Sequence, residues 1–248
     1  MTEPIVVTGG TGVLGREVVS RLLDRGARVR SVSRNPGAAR PGLTHARADL
    51  RSGHGLDEAM AGAKTVVHCA GIMRGEVEAS RNALRAAKSA EHFVYISIVG
   101  VDKIPLGYYR AKHEVEGMLE ESGLGWTILR ATQFHALVSR IADALAKSPL
   151  APVPAGIRLQ PVDAGEVADR LVALALDAPA GRVPDFGGPE VKSLCELVRG
   201  RLAATGRRRA LIPVRFPGRI SAAFRAGHNL APDGARGEVT YEEFLRRG

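Results

Sequence analysis

Short runs rich in valine and isoleucine alternate along this chain with longer segments in which apolar residues return every three or four positions. The runs are "PIVVT", "ARVRSVS", "LTHARA", "KTVVHC", "HFVYIS" and "GWTILR". Between them the spacing predicts helices from about Gly12 to Asp24, near Leu56, from about Glu76 to Ala90, and over the segment bearing Tyr108. Apolar strands separated by helices mark a parallel sheet covered on both faces. The fold class expected is therefore α/β, a doubly wound parallel sheet. No 20–50-residue repeat, low-complexity tail or long linker interrupts the pattern. The organisation expected is one nucleotide-binding domain over residues 1–187, with a substrate-side insertion at about 131–156, and a small substrate-covering region over 188–248.

Ligands of such sheets bind at the carboxyl ends of the strands. The first strand runs into "TGGTGVLG", Thr8 to Gly15, and then into a helix. Gly9, Gly12 and Gly15 allow a tight turn, let backbone N–H groups approach a pyrophosphate, and let the helix close on the strand. A glycine trio alone is compatible with a plain tight turn. Opening a strand-turn-helix, it points to a dinucleotide.

The motif resembles that of the short-chain dehydrogenase/reductase superfamily in its extended and atypical branches, and most of all the NmrA-like proteins. The likeness continues through "ADL" (Ala48–Leu50), "VVHCAG" (Val66–Gly71), "FVYIS", "YYRAK", "WTILRATQF" and "QPVDAGEVADRLV", spanning about residues 4 to 175. It implies a Rossmann fold in which Gly9, Thr11, Gly12, Val13, Leu14 and Gly15 cradle the cofactor. Asp49 and Leu50 would lie near the adenine, Cys69, Ala70 and Gly71 would line the cofactor, and Ser97, Gln133 and Phe134 would border it.

Cofactor type is set at the end of the second strand. An acid there bonds the ribose 2′-hydroxyl of NAD, whereas an arginine pairs with the 2′-phosphate of NADP. The segment "SVSRNP" puts Ser33 and Arg34 there, so NADP(H) is preferred over NAD(H). Tyr108 and Lys112 lie one helical turn apart. By the resemblance Tyr108 exchanges a proton with the substrate oxygen, and Lys112 holds the nicotinamide ribose and favours the tyrosinate. Extended relatives carry a run of hydroxyl residues after the fifth strand, and here Ile98 stands where the substrate-polarising hydroxyl is expected. Loss of one such donor costs about two to three orders of magnitude in rate. That favours acceptors which need little polarisation.

Two readings follow. The first is an NADP(H)-dependent oxidoreductase reducing a quinone, flavin or activated carbonyl, ahead of nucleotide-sugar epimerisation. The second is a non-catalytic NmrA-like NADP(H) sensor with a protein partner. His68 reads as core, Cys69 as structural, and His135 as packed or solvated. Near the C-terminus, Thr240 and Glu243 have capping-box spacing, a structural signal.

Composition adds limits to this picture. The 248 residues carry a net charge of +9, with a pI of about 10.1. Only six positions are lysine, so the charge is nearly all arginine and scattered. With 4% aromatic residues and no recognisable nucleic-acid-binding motif, nucleic acid is not an expected partner. Two distant cysteines, Cys69 and Cys195, suggest neither a disulfide framework nor a metal site. No apolar run approaches the roughly 18 residues of a membrane span. The expectation is a cytoplasmic protein, with no membrane partner and with homo-oligomerisation open.

Overall fold

The computed structural model describes residues 3–35 and 37–247. In chain order the elements are β1 (Ile5–Thr8), α1 (Val13–Asp24), β2 (Val29–Ser33), β3 (Leu43–Arg47), α2 (Leu56–Met60), β4 (Thr65–His68), α3 (Glu76–Ala86), β5 (His92–Ile98), α4 (Gly107–Glu120) and β6 (Trp126–Ala131). There follow α5 (His135–Leu145), β7 (Leu150–Pro154), β8 (Arg158–Leu159), α6 (Ala164–Ala175), β9 (Gly181–Arg182), β10 (Phe186–Gly187), β11 (Lys192–Ser193), α7 (Leu194–Ala204), β12 (Ala210–Val214), α8 (Arg219–Arg225), β13 (Ala235–Arg236) and α9 (Tyr241–Arg247). The six apolar runs are the first six strands. The helix expected to reach Ala90 ends at Ala86, with Ala87 as its C-cap, and the one near Leu56 is a single short turn of five residues.

Nine parallel strands form the main sheet, in the order β13-β10-β6-β5-β4-β1-β2-β3, with β9 also pairing β6. The chain groups into two compact units. The first takes the chain up to Ser97, with Arg110–Leu129 and Ala164–Val183; the second takes Ile98–Tyr109, Arg130–Asp163 and the chain from Pro184 onward.

In the first unit the strands are apolar on both faces because both are covered. Val6, Val7, Val66, Val67 and Val94 are completely buried. On α1, Leu14, Val18, Val19 and Leu22 recur at helical spacing and are buried, and the helix packs against α6. The Arg21 guanidinium joins the two helices by donating to Asp169 at 2.7 Å. A second apolar cluster unites Met60, Ala79, Ala83, Phe93, Tyr95, Val115, Leu119 and Ile128 from α2, α3, β5, α4 and β6. After β1 the chain lays β2 and β3 on one side and then returns to place β4 on the other. That reversal opens a crevice at the carboxyl ends of β1 and β4.

In the second unit α5, α7 and α9 share a core of Val138, Leu197, Val198 and Tyr241. Two capping boxes begin helices there: Ser193 with Glu196 on α7, and Thr240 with Glu243 at the start of α9. No helix among the described residues is long and apolar enough to cross a membrane. Nor, among them, does any group of three or more His, Cys, Asp or Glu side chains lie together as metal ligands.

Candidate functional site

The crevice of the first unit is a cleft of about 630 Å³. Its walls come from the ends of four neighbouring strands and the loops after them: Gly9, Thr11 and Gly12 after β1, Val32 and Ser33 at the end of β2 with Arg34 and Asn35 beyond it, Ala48 to Arg51 after β3, and Cys69 to Arg74 after β4. Of the residues expected to bind a cofactor, Gly9, Thr11, Gly12, Ser33, Arg34, Asp49, Leu50, Cys69, Ala70 and Gly71 line it. Val13, Leu14 and Gly15 form the first turn of α1. Arg51, Ile72, Met73 and Arg74 also line the cleft, and nothing in the local sequence singled them out.

Two glycines set the shape of this floor. Gly9 has φ +66°, and a Cβ there would meet the Ala70 backbone at 2.8 Å. A Cβ on Gly15 would lie 2.1 Å from the Gly9 carbonyl oxygen, so only glycine lets α1 start this close to the turn. Gly12 is the N-cap and supplies no side-chain hydrogen bond. The first-turn N–H groups and the positive helix end are therefore suited to a phosphate. On the other side the Asp49 carboxylate accepts from the Arg51 N–H at 2.9 Å, and the Asn82 amide donates to the Leu50 and Arg51 carbonyls at 2.9 and 3.1 Å. These bonds hold Arg51 at the rim.

Behind the β4 wall is a buried polar cluster. Lys112 on α4 and Glu76 at the start of α3 form an ion pair of 2.8 Å, with side chains 4% and 2% exposed. The Lys112 ammonium also donates to the Ile96 carbonyl at 3.0 Å and lies 4.5 Å from the centre of the Tyr95 ring. The Tyr95 hydroxyl donates to Glu76 at 3.2 Å, and the other Glu76 oxygen accepts the Ile72 N–H at 2.7 Å. Burial alone pushes the Glu76 carboxyl up, but the charge and hydrogen bond of Lys112, with the Ile72 N–H and His68, outweigh it and hold it below the usual carboxylate value. His68 lies between the Thr8 and Ser80 hydroxyls, at 2.8 and 3.3 Å. Burial lowers its pKa to about 4, with Lys112 assisting and Glu76 opposing, so it is neutral at pH 7. Burial raises the Cys69 thiol to about 12 against the pull of Lys112, which makes it an inert thiol. Ser97 is buried, and its hydroxyl has no hydrogen-bond partner among the described residues.

The second unit places the remaining expected residues. Tyr108 is partly buried and packs on the cluster of Val101, Ile104, Tyr109 and Ala223, as do Ile98, Leu106 and Phe224. Its neighbour Tyr109 is buried edge-on to Phe224, and burial raises its hydroxyl to about 12 although Gln133 hydrogen-bonds to it. Tyr108 is thus the more open of the two. The Gln133 amide donates to the Asn229 carbonyl at 3.2 Å, which commits it to the segment before β13. Phe134 is the N-cap of α5 and its backbone bridges to Val162. His135 is buried against Tyr241 and Phe244 and bonds the Val239 carbonyl at 3.0 Å.

A cleft at the switch point, floored by a glycine turn and an uncapped helix start, is the architecture of a dinucleotide site. A family model described as NAD(P)H-binding matches residues 9–140, just over half of the chain. This chain belongs to the NAD(P)H-binding family. Its fold is that of the extended and atypical short-chain dehydrogenase/reductases, the NmrA-like proteins among them. This NAD(P)H-binding protein is 30% identical over 220 residues to an uncharacterized protein of Mycobacterium tuberculosis, covering 86% of the chain but only 24% of that relative. It is 28% identical to an NAD(P)H azoreductase of Xenophilus azovorans, covering 86% of the chain and 76% of the relative. Among solved structures, an NADPH-dependent quinone oxidoreductase from Escherichia coli, complexed with NADPH, superposes with a TM-score of 0.82 at 21% identity, over 98% of this chain and 99% of that one.

Proposed function

We propose that the protein is an NADP(H)-dependent reductase of a quinone, flavin or activated carbonyl, acting in the cytoplasm. The observation that carries the cofactor choice is the set of three arginines, Arg34, Arg51 and Arg74, on the walls of the cleft. No carboxylate stands at the end of β2, and the one after β3, Asp49, is bonded to the Arg51 N–H. A 2′-phosphate with about two negative charges gains charge-assisted hydrogen bonds from such a rim. The glycine turn and the first turn of α1 take the pyrophosphate. When bound, the cofactor supplies the hydride. Tyr108 donates the proton that balances the hydride, to the oxygen of a quinone or carbonyl or to a ring nitrogen of a flavin, Lys112 serves the cofactor side, and the region over 188–248 covers the substrate. The likeness to proteins named as a quinone oxidoreductase and an azoreductase supports the acceptor class. With Ile98 near Tyr108 in place of a polarising hydroxyl, acceptors that draw hydride by their own electrophilicity fit best.

The experiment is NADPH oxidation followed by absorbance against a panel of quinones, flavins, aldehydes and ketones, with Tyr108→Phe alongside. Turnover is expected on the first two classes. The variant should lose about 10²-fold in kcat, the contribution of a positioned acid, and keep its affinity for NADPH. In Arg34→Ala the preference in kcat/KM for NADPH over NADH should fall about tenfold or more, the value of one charge-assisted hydrogen bond. An unchanged ratio would refute the role of Arg34.

A second reading, the non-catalytic NADP(H) sensor, is favoured by Ile98 and by the counter-charge that Glu76 gives Lys112. Tight NADPH binding with no turnover on any acceptor would establish it and remove the reductase.

A further inference from the structure

We infer that Lys112 is a positioning residue that acts on the cofactor cleft through Glu76, by holding the loop between β4 and α3 in the shape that lines the cleft. This rests on the reading of the cleft as an NADP(H) site, and it changes what the lysine does there. The resemblance assigned Lys112 to the nicotinamide ribose. Instead its ammonium is bonded to the Glu76 carboxylate at 2.8 Å and the Ile96 carbonyl at 3.0 Å, within a side chain only 4% exposed.

The chain of contact runs through one carboxylate. Glu76 accepts Lys112 on one oxygen and the Ile72 N–H, at 2.7 Å, on the other. Ile72 is a wall residue of the cleft, in the loop running from Cys69 to Arg74. That loop follows a strand whose last N–H groups are bonded within the sheet, and the Ile72 N–H is donated to a side chain. A carboxylate 2% exposed stays ionised only beside a compensating charge. Of the groups that face Glu76, Tyr95 is a neutral donor and His68 is a neutral ring, so Lys112 supplies the positive charge. Remove that charge and the carboxyl takes up a proton or leaves its site. Either change weakens its hold on Ile72, and the wall loosens.

The test reads hydrogen exchange in the ligand-free protein over the peptide containing residues 69–76, together with calorimetric affinities for NADPH and for adenosine 2′,5′-bisphosphate, a probe without the nicotinamide riboside. Wild type, Glu76→Gln, Lys112→Met and the double variant are compared, with circular dichroism to confirm folding. Exchange in that peptide should rise about tenfold in each single variant, the effect of losing roughly one net hydrogen bond. Both ligands should weaken by the same factor. In Glu76→Gln the one carboxamide oxygen is drawn to the uncompensated Lys112 ammonium, whereas in the double variant it is free for the Ile72 N–H and needs no counter-charge, so the double variant should recover much of the protection and affinity. If Lys112→Met does not fold, Glu76→Gln against the double variant gives the same comparison. Wild-type exchange in the single variants would overturn the inference. So would loss of affinity for NADPH alone, the signature of a lysine in direct contact with the nicotinamide half. Because exchange is read without ligand, it decides the claim about the loop whether or not the wild type binds NADPH.

Discussion

Replacing Lys112 with methionine should destabilise the folded protein by about 3–5 kcal/mol, the usual cost of leaving one partner of a buried ion pair uncompensated. The side chain is of similar length, so loss of packing is small and the charge is the variable. Glu76 would lose its counter-ion in a buried place, and its hold on the Tyr95 and Ile72 donors would weaken. The pH dependence gives the sign. In the wild type the Glu76 carboxyl sits below its ordinary value, so its contribution is present above the unfolded pKa and is lost as the pH falls through the folded one. In the variant burial acts without the lysine and pushes the carboxyl up, so protonation relieves the strain. The deficit relative to wild type should therefore be largest at neutral pH and shrink as the pH is lowered toward 5. Urea unfolding of both proteins at several pH values measures it, with equal m-values required for the comparison. Equal midpoints at pH 7 would mean that the pair contributes nothing.

The second large effect is expected at Gly15. An alanine Cβ there would stand 2.1 Å from the Gly9 carbonyl oxygen, 2.7 Å from its carbon and 2.8 Å from the Gly10 Cα. All three are backbone atoms of the turn, so no side-chain rotamer relieves the clash and α1 must move away from β1. We expect a loss of about 1–3 kcal/mol in stability, typical of overpacking. NADPH affinity should fall by about 100-fold, because phosphate recognition by backbone N–H groups tolerates little displacement. Gly117→Ala is the control: it lies on α4 with nothing within 4 Å of the added methyl and should gain about 0.5–1 kcal/mol. Gly15→Ala binding NADPH as tightly as wild type would remove the glycine turn from the binding site.

Much of this arrangement was legible along the chain because it is local. The Val/Ile runs became strands since a parallel sheet covered on both faces needs continuous apolar segments. The "TGGTGVLG" stretch became strand, turn and helix because its glycines permit one close approach and no side chain competes for the helix start. Thr240 and Glu243 capped α9 at three residues' separation. The end of α3 was misplaced because the stretch from Ala86 to Ala90, Ala-Ala-Lys-Ser-Ala, carries no glycine or proline to stop a helix, and β8, β9, β10, β11 and β13, of two residues each, have no periodicity to read.

What the sequence alone determined is the sheet, its glycine turn and the family of the cofactor site, each encoded by residues within one or two elements of one another. The tertiary structure decided the rest. It brought Arg51 and Arg74 to the same cleft wall as Arg34, although they come from three different loops. It also paired Lys112 with Glu76, 36 positions away, a partner that neither the spacing on α4 nor the family resemblance indicated. Spacing along a helix tells which way a side chain leaves the axis. Which charge it meets in a buried space depends on the neighbouring elements that enclose it, and that is set only when the chain has folded.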